Sequence, residues 1–179
     1  MSGRSDGTIE QSGDIFVFRY ERHLRHQPER VWSALVHPAE VEAWFGVRVE
    51  LDPRVGGEYV TYHRGGQRVV DRVVVFDPPS VFEHTFWVEV NPSALVRWEI
   101  QRDDDGSVLT LTHTMSVDDL RRAAEGPAVG DSFATILSRN GAGWHHILDR
   151  LAATLDGKDL ERSAVEMQAL QQQYAALLP

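Results

Sequence analysis

The chain has 179 residues, with 18 Lys+Arg against 27 Asp+Glu, a net charge of −9 and no cysteine. Without cysteine there are no disulfides, thiolate zinc sites, iron–sulfur clusters or cysteine nucleophiles. Lys158 is the sole lysine and sits in the turn-like Asp156-Gly157-Lys158, a poor place to desolvate an amine for covalent chemistry. The acidic balance argues against a nucleic-acid partner. No stretch approaches the ~20 apolar residues of a membrane span.

Met1 to Gly13 is rich in Ser, Gly and Asp and lacks an apolar signal region, so it is expected to be a disordered lead-in to a cytoplasmic protein. A strand is predicted over 15–24. Gln27-Pro28-Glu29 then opens a helix through Val31, Trp32 and Leu35, because proline suits the first helical turn. A second short helix follows His37-Pro38, carries Val41, Trp44 and Phe45, and stops at Gly46. Fourteen of the 21 valines fall between Val47 and Val108, which marks this stretch as β-structure. Strands are predicted over 47–52, 57–63, 67–76, 81–89, 94–102 and 107–115, separated by Gly, Pro and Asp turns. The short gaps of the later strands favour an antiparallel meander.

Alternation assigns the faces. Phe82, His84 and Phe86 share one; Val96, Trp98 and Ile100 another; Leu109, Leu111 and His113 a third. Such a one-sided sheet needs a cover. Phe133, Leu137, Asn140, Trp144, Leu148, Leu151 and Leu155 recur every three or four residues and predict a long helix. Asp131 or Ser132 would cap it and Asp156-Gly157 end it. Gly141 and Gly143 inside that stripe imply either a close backbone approach or two helices meeting there. The folded domain is therefore drawn over residues 14–157. Residues 158–179 form a helical extension carrying Leu160, Met167, Leu170 and Tyr174, packed on the domain or against a partner.

Pro28-Glu29-Arg30-Val31-Trp32, His37-Pro38-Ala39-Glu40, Trp44-Phe45-Gly46, Gly56-Gly57-Glu58-Tyr59, Asp77-Pro78-Pro79, Leu109-Thr110-Leu111-Thr112-His113 and Gly143-Trp144 stand in order along residues 15–156. Together they resemble the heat-shock ATPase activator-like branch of the START-like (SRPBCC) superfamily. The resemblance implies an α+β helix-grip (Bet v-type) fold: a curved seven-strand antiparallel sheet around a long C-terminal helix, with two short helices after the first strand. It also implies a cavity for an apolar or amphipathic molecule. Asp71 departs from the pattern, standing where the family usually has a small residue. The Ser116–Gly130 segment and the tail beyond Lys158 are longer than the minimal pattern.

The expected lining is Trp44, Tyr59, Phe82, His84, Phe86, Trp98, His113, Phe133, Leu137 and Trp144, with open space between these side chains. His84 and His113 stand on greasy faces, either as satisfied core histidines or as polar anchors for a ligand. His84 replaces what is commonly an apolar residue in the family, which favours it as the anchor. No metal site is expected, because adjacent His145 and His146 point about 100° apart and no His-x-x-x-His pair exists. Gly130-Asp131-Ser132-Phe133 is not a nucleophile elbow, and Gly141-Ala142-Gly143 is not a nucleotide fingerprint. Asp118-Asp119 and Asp103-Asp104-Asp105 read as solvated turns. No catalytic residue and no cofactor is assigned. The leading expectation is a small hydrophobic or amphipathic ligand bound without catalysis. Two alternatives stay open: a polyketide cyclase- or aromatase-like enzyme, and a chaperone-associated protein-binding module. A homodimer through the tail is a further alternative.

Overall fold

Alternating apolar residues build one antiparallel sheet of eight strands: β1 Thr8–Ser12, β2 Ile15–Leu24, β3 Arg48–Leu51, β4 Glu58–Tyr62, β5 Arg68–Asp77, β6 Val81–Thr85, β7 Leu95–Asp103 and β8 Gly106–Ser116. Their order is β1-β2-β8-β7-β6-β5-β4-β3. This computed structural model describes residues 7–125 and 132–179. The long β2–β8 ladder runs from Ile15↔Ser116 to Leu24↔Ser107. One transverse row of this sheet crosses four strands as His84, Val96, His113 and Phe18.

Two short helices, α1 Pro28–Val36 and α2 Pro38–Phe45, close one end. Each begins on a proline, whose fixed φ and missing N–H suit the first turn. Gly46 ends α2 with φ 82°, a left-handed cap that glycine adopts without strain. A third helix, α3, spans Val117–Glu125, and α4 spans Phe133–Leu155. Helix α4 lies in the grip of the sheet and buries Leu137, Trp144, Leu148 and Leu151. The Ser132 hydroxyl caps it by accepting from Thr135 N–H, and Gly157 follows its end with φ 70°. The helix-grip fold is thus the fold of this chain. A final helix, α5 Ala164–Ala175, opens with a reciprocal Ser163–Glu166 capping box.

Three details differ from the sequence reading. Thr8–Ser12 is a strand, within the stretch expected to be disordered, because Ile9 tucks its side chain into the core while β1 pairs with β2; residues 1–6 lie outside the described residues. The sheet accordingly has eight strands instead of seven. Asp118 and Asp119 open α3 instead of a solvated turn: Ser116 Oγ accepts from both of their N–H groups, and buried Asp119 accepts from Ser93 N–H and Oγ–H. Asp131, the alternative cap, lies outside the described residues.

The two glycines of α4 are not equivalent. The helix is continuous through both. A Cβ on Gly141 would stand 2.6 Å from Tyr174 Cδ1 of α5, whereas one on Gly143 would meet nothing within 4 Å. Gly141→Ala should therefore lose about 1–3 kcal/mol as Tyr174 is displaced, and Gly143→Ala should gain up to about 1 kcal/mol from helix propensity. Urea unfolding of the two variants checks the opposite signs; equal effects would show that α5 does not dictate the glycine.

Candidate functional site

Nine of the ten predicted lining residues are aromatic or imidazole side chains, and the fold brings eight of them together. Tyr59 lies 4.6 Å from His84 between ring centroids, His84 lies 5.1 Å from Phe82, Phe86 lies 5.2 Å from His113, and Trp144 lies 5.1 Å from Phe86 and 5.7 Å from Trp98. Trp44 joins through Trp98 at 5.8 Å. Phe133 touches Phe16 instead, at 5.5 Å, and Leu137 is buried on the same stripe of α4. These are contact distances. The rings therefore form one cluster between sheet and helix. An open groove of about 520 Å³ lies elsewhere, where β2 and β7 finish and α4 ends, lined by Leu24, His26, Asp103, Ser107 and Asp156 among others and by none of the ten.

The buried indoles decide the state of the histidines. An indole N–H can only donate. Trp98 Nε1 donates to His84 Nε2 at 3.3 Å, which leaves the proton on His84 Nδ1, and that nitrogen donates to the Thr85 carbonyl at 2.7 Å. Trp144 Nε1 donates to His113 Nδ1 at 2.9 Å, which places the proton on Nε2. The two imidazoles are thus held in opposite tautomers. Burial pushes His84 down to about 4, with the Thr85 carbonyl opposing. Burial likewise pushes His113 down to about 3, reinforced by His84 and opposed by the nearby Asn140 carboxamide. Both rings are neutral at physiological pH.

His84 uses both nitrogens, and the second nitrogen of His113 faces the Asn140 carboxamide, whose oxygen as acceptor opposes the fall in the His113 pKa. The pairing is loose, since neither His113 Nε2 nor Asn140 Nδ2 completes a well-formed hydrogen bond. His113 is 1% exposed. Phe86, Phe133, Ile136 and Asn140 are half-buried. Asn140 was not singled out as a site residue, although an amide on an otherwise apolar helical stripe was a visible signal.

Asp71 has a different task. Its carboxylate accepts from Trp87 N–H, Val88 N–H and Thr85 Oγ–H at 3.0–3.2 Å. Burial raises its pKa and these three bonds oppose the rise. Asp71 thereby holds the loop after β6, including Trp87 at φ 53°, a left-handed conformation uncommon for a bulky residue. Trp87 stacks at 4.8 Å on His63 of the β4–β5 turn.

A second polar cluster seats the tail. Arg22 Nε and Arg162 Nη2 donate to Asp149 at 3.1 and 2.6 Å. His145 Nε2 lies 3.4 Å from the same carboxylate, and its Nδ1 lies 2.9 Å from the Tyr174 hydroxyl, which also accepts from Gly7 N–H at 3.0 Å. Burial pulls the Asp149 pKa up, but His145, Arg162 and Arg22 more than offset it and hold the carboxyl well below the usual range. Sequence reasoning missed this cluster because its members lie far apart along the chain. Among the described residues, no group of three or more His, Asp or Glu side chains is arranged to hold a metal ion, and no helix is long and apolar enough to cross a membrane.

A sheet gripping a long helix, with two short helices at one end and an aromatic–histidine interior, defines a START-like domain. Residues 25–156 match the family described as activator of Hsp90 ATPase homolog 1-like protein, and the chain belongs to that family. Solved structures share the fold. EF2215 from Enterococcus faecalis, a conserved protein of unknown function, has TM-score 0.74 at 13% identity over 97% of this chain and 92% of its own. CalU16 from Micromonospora echinospora has TM-score 0.68 at 21% identity over 98% of this chain and 97% of its own. MLL2253 from Mesorhizobium loti has TM-score 0.62 at 22% identity over 80% of this chain and 99% of its own. No curated protein matches the chain.

Two outcomes follow from the electrostatics. A histidine with a depressed pKa refuses protons that the unfolded chain accepts, so stability falls as pH drops below about 6.5. NMR should accordingly show no titration of His84 or His113 between pH 8 and pH 5, and a midpoint near 6.5 for either ring would contradict its burial. Asp149 acts through its ionised form, so its contribution is full above about pH 4 and is lost as pH falls through its lower folded value. Asp149→Asn, which strands the buried Arg22 guanidinium, should cost about 3 kcal/mol or more at pH 7. That deficit should shrink on acidification; a deficit constant from pH 7 to pH 2 in urea unfolding would show that the charge is not what matters.

Proposed function

We propose that this chain is a START-like binding domain that admits a small hydrophobic or amphipathic molecule between β8 and the N-terminal half of α4. The observation that carries the reading is a loosely paired polar couple, His113 Nε2–H and the Asn140 carboxamide, buried in an otherwise apolar interior. A guest's acceptor can improve on so loose a pairing. The neighbouring rings would supply affinity through apolar contact and this polar couple orientation. Half-buried Phe86 and Phe133 are the side chains able to move aside for entry. His113 is favoured over His84 as the anchor, because both His84 nitrogens are already engaged. The remaining predicted lining residues, Trp44, Tyr59, Phe82 and Trp98, would form the floor.

The reading concerns binding. Among the described residues of this interior, no group is arranged as a nucleophile with an adjacent base. The test is an NMR titration with acetophenone as probe, following the Leu111 and Leu137 methyls and the Trp144 indole. Saturable shifts confined to these groups are expected. Shifts confined to His26 and Asp156 in the surface groove, or no saturable shift anywhere, would overturn the proposal.

A further inference from the structure

Asp71 touches none of the rings around His113, yet it holds the segment that lies over them. Residues 86–94 join β6 to β7 as a strap. Phe86, at its start, is half-buried, with its ring centroid 5.2 Å from His113 and 5.1 Å from Trp144. Glu89, Val90, Pro92 and Ser93 are exposed. Phe86 thus spans the distance from the interior rings to solvent.

The closed strap is held against several unfavourable features. Trp87 keeps φ 53°, a conformation that a bulky residue adopts only where its surroundings impose it. Asn91 Oδ1 is buried with no hydrogen-bond partner. Burial, and Glu89 on the strap itself, raise the Asp71 pKa against its three hydrogen bonds. The β6–β7 ladder stops at Thr85↔Leu95, and beyond it Phe86 N–H donates to the Ala94 carbonyl at 3.2 Å.

Two carboxylates from other elements hold the ends. At the start, one Asp71 oxygen accepts from Thr85 Oγ–H and Val88 N–H, and the other accepts from Trp87 N–H at 3.1 Å. Bonds to a charged acceptor are the strong ones, and here they fall on the strained residue and its neighbour. At the far end Ser93 donates its N–H and Oγ–H to Asp119 of α3. Asp71 is therefore a positioning residue that acts through the Trp87 and Val88 backbone.

We infer that residues 86–93 are a gate over the aromatic interior, that Asp71 is its latch, and that releasing Trp87 and Val88 lifts Phe86 from His113 and Trp144. The opening itself needs no guest; that a guest passes through it rests on the binding reading above.

Asp71→Asn tests the latch with little change of shape. A carboxamide keeps the two bonds on one oxygen but turns N–H toward Trp87 N–H, so the bond at the strained residue is lost. Hydrogen exchange of the full-length protein, followed by NMR, is the readout. In the parent the Trp144 indole N–H should exchange much faster than the Leu111 amide, through an opening well short of global unfolding. In Asp71→Asn that indole proton and the Trp87 and Val88 amides should all exchange about tenfold faster or more. His63→Ala removes the ring on which Trp87 stacks, at a half-buried turn position, and should speed the same three protons about threefold. That second variant keeps the test decisive if Asp71→Asn does not fold. Strap amides unmoved by either substitution, or an indole as slow as Leu111 in every protein, would overturn the inference.

Acetophenone tests passage. Asp71→Asn should raise its association and dissociation rates together by about tenfold and leave Kd within about twofold, as a gate outside the contact surface does. Unchanged rates beside a faster Trp144 indole would show that the guest enters elsewhere and overturn the gate. Failure of acetophenone to bind the parent would overturn the binding reading, with the latch still decided by the exchange rates.

Discussion

A tryptophan buried in an apolar interior must find an acceptor for its N–H, because water is absent and the indole has nothing else to offer. Three tryptophans of this domain meet that demand in three ways. Trp44 donates to the Ala34 carbonyl and so ties α2 to α1. Trp98 donates to His84 within the sheet, and Trp144 donates from α4 to His113 on β8. The last bond joins helix to sheet, as do those from Tyr20 to the Gly141 carbonyl and from Arg22 to Asp149. Each imidazole, by accepting, is fixed in tautomer and kept neutral. The histidines are therefore consequences of the tryptophans: an apolar residue at 84 or 113 would strand an indole N–H.

The two acceptors are not used alike. The His84 proton goes to the carbonyl of the following residue, Thr85, so the ring is a closed part of the framework. The His113 proton faces across to α4, where the residue within reach is Asn140, whose carboxamide pairs with it only loosely. The difference between the two histidines lies wholly in what stands opposite the second nitrogen, which no inspection of either ring alone would reveal.

Much of the fold was legible in the chain. Strand faces followed from period-two alternation at Phe82, Trp98 and Leu111, and the long helix from the stripe between Phe133 and Leu155, because one-sided burial writes itself into sequence at the period of the element. β1 was not legible: Thr8–Ser12 has one inward apolar residue, Ile9, and owes its order to pairing with β2. The α3 helix was hidden behind Asp118-Asp119, a pair that suits a helix N-terminus as well as a turn. The members of the site were nameable one by one as aromatics and histidines on buried faces. Which nitrogen carries the proton depends on contacts 31 residues apart in the case of His113 and Trp144. No local pattern encodes such a contact.

The tail shows the same logic applied to charge. Arg22 on the concave face is an expensive residue to bury, and Asp149 of α4 neutralises it, but one carboxylate has more lone pairs than one guanidinium fills. Arg162, just before α5, and His145 take up the remainder, and His145 in turn orients the Tyr174 hydroxyl that receives Gly7 N–H. A chain of hydrogen bonds thus runs from the sheet through α4 to α5 and on to the residue preceding β1. Gly141 is the steric half of the same arrangement, since only a residue without a side chain lets Tyr174 lie on α4. The family match ends at residue 156, yet Asp149, His145 and Gly141 lie inside it and hold the segment beyond it. The extension is built into the domain's core, and α4 carries two duties along its length: it seats the tail through one set of polar groups and offers Asn140 to the interior through another.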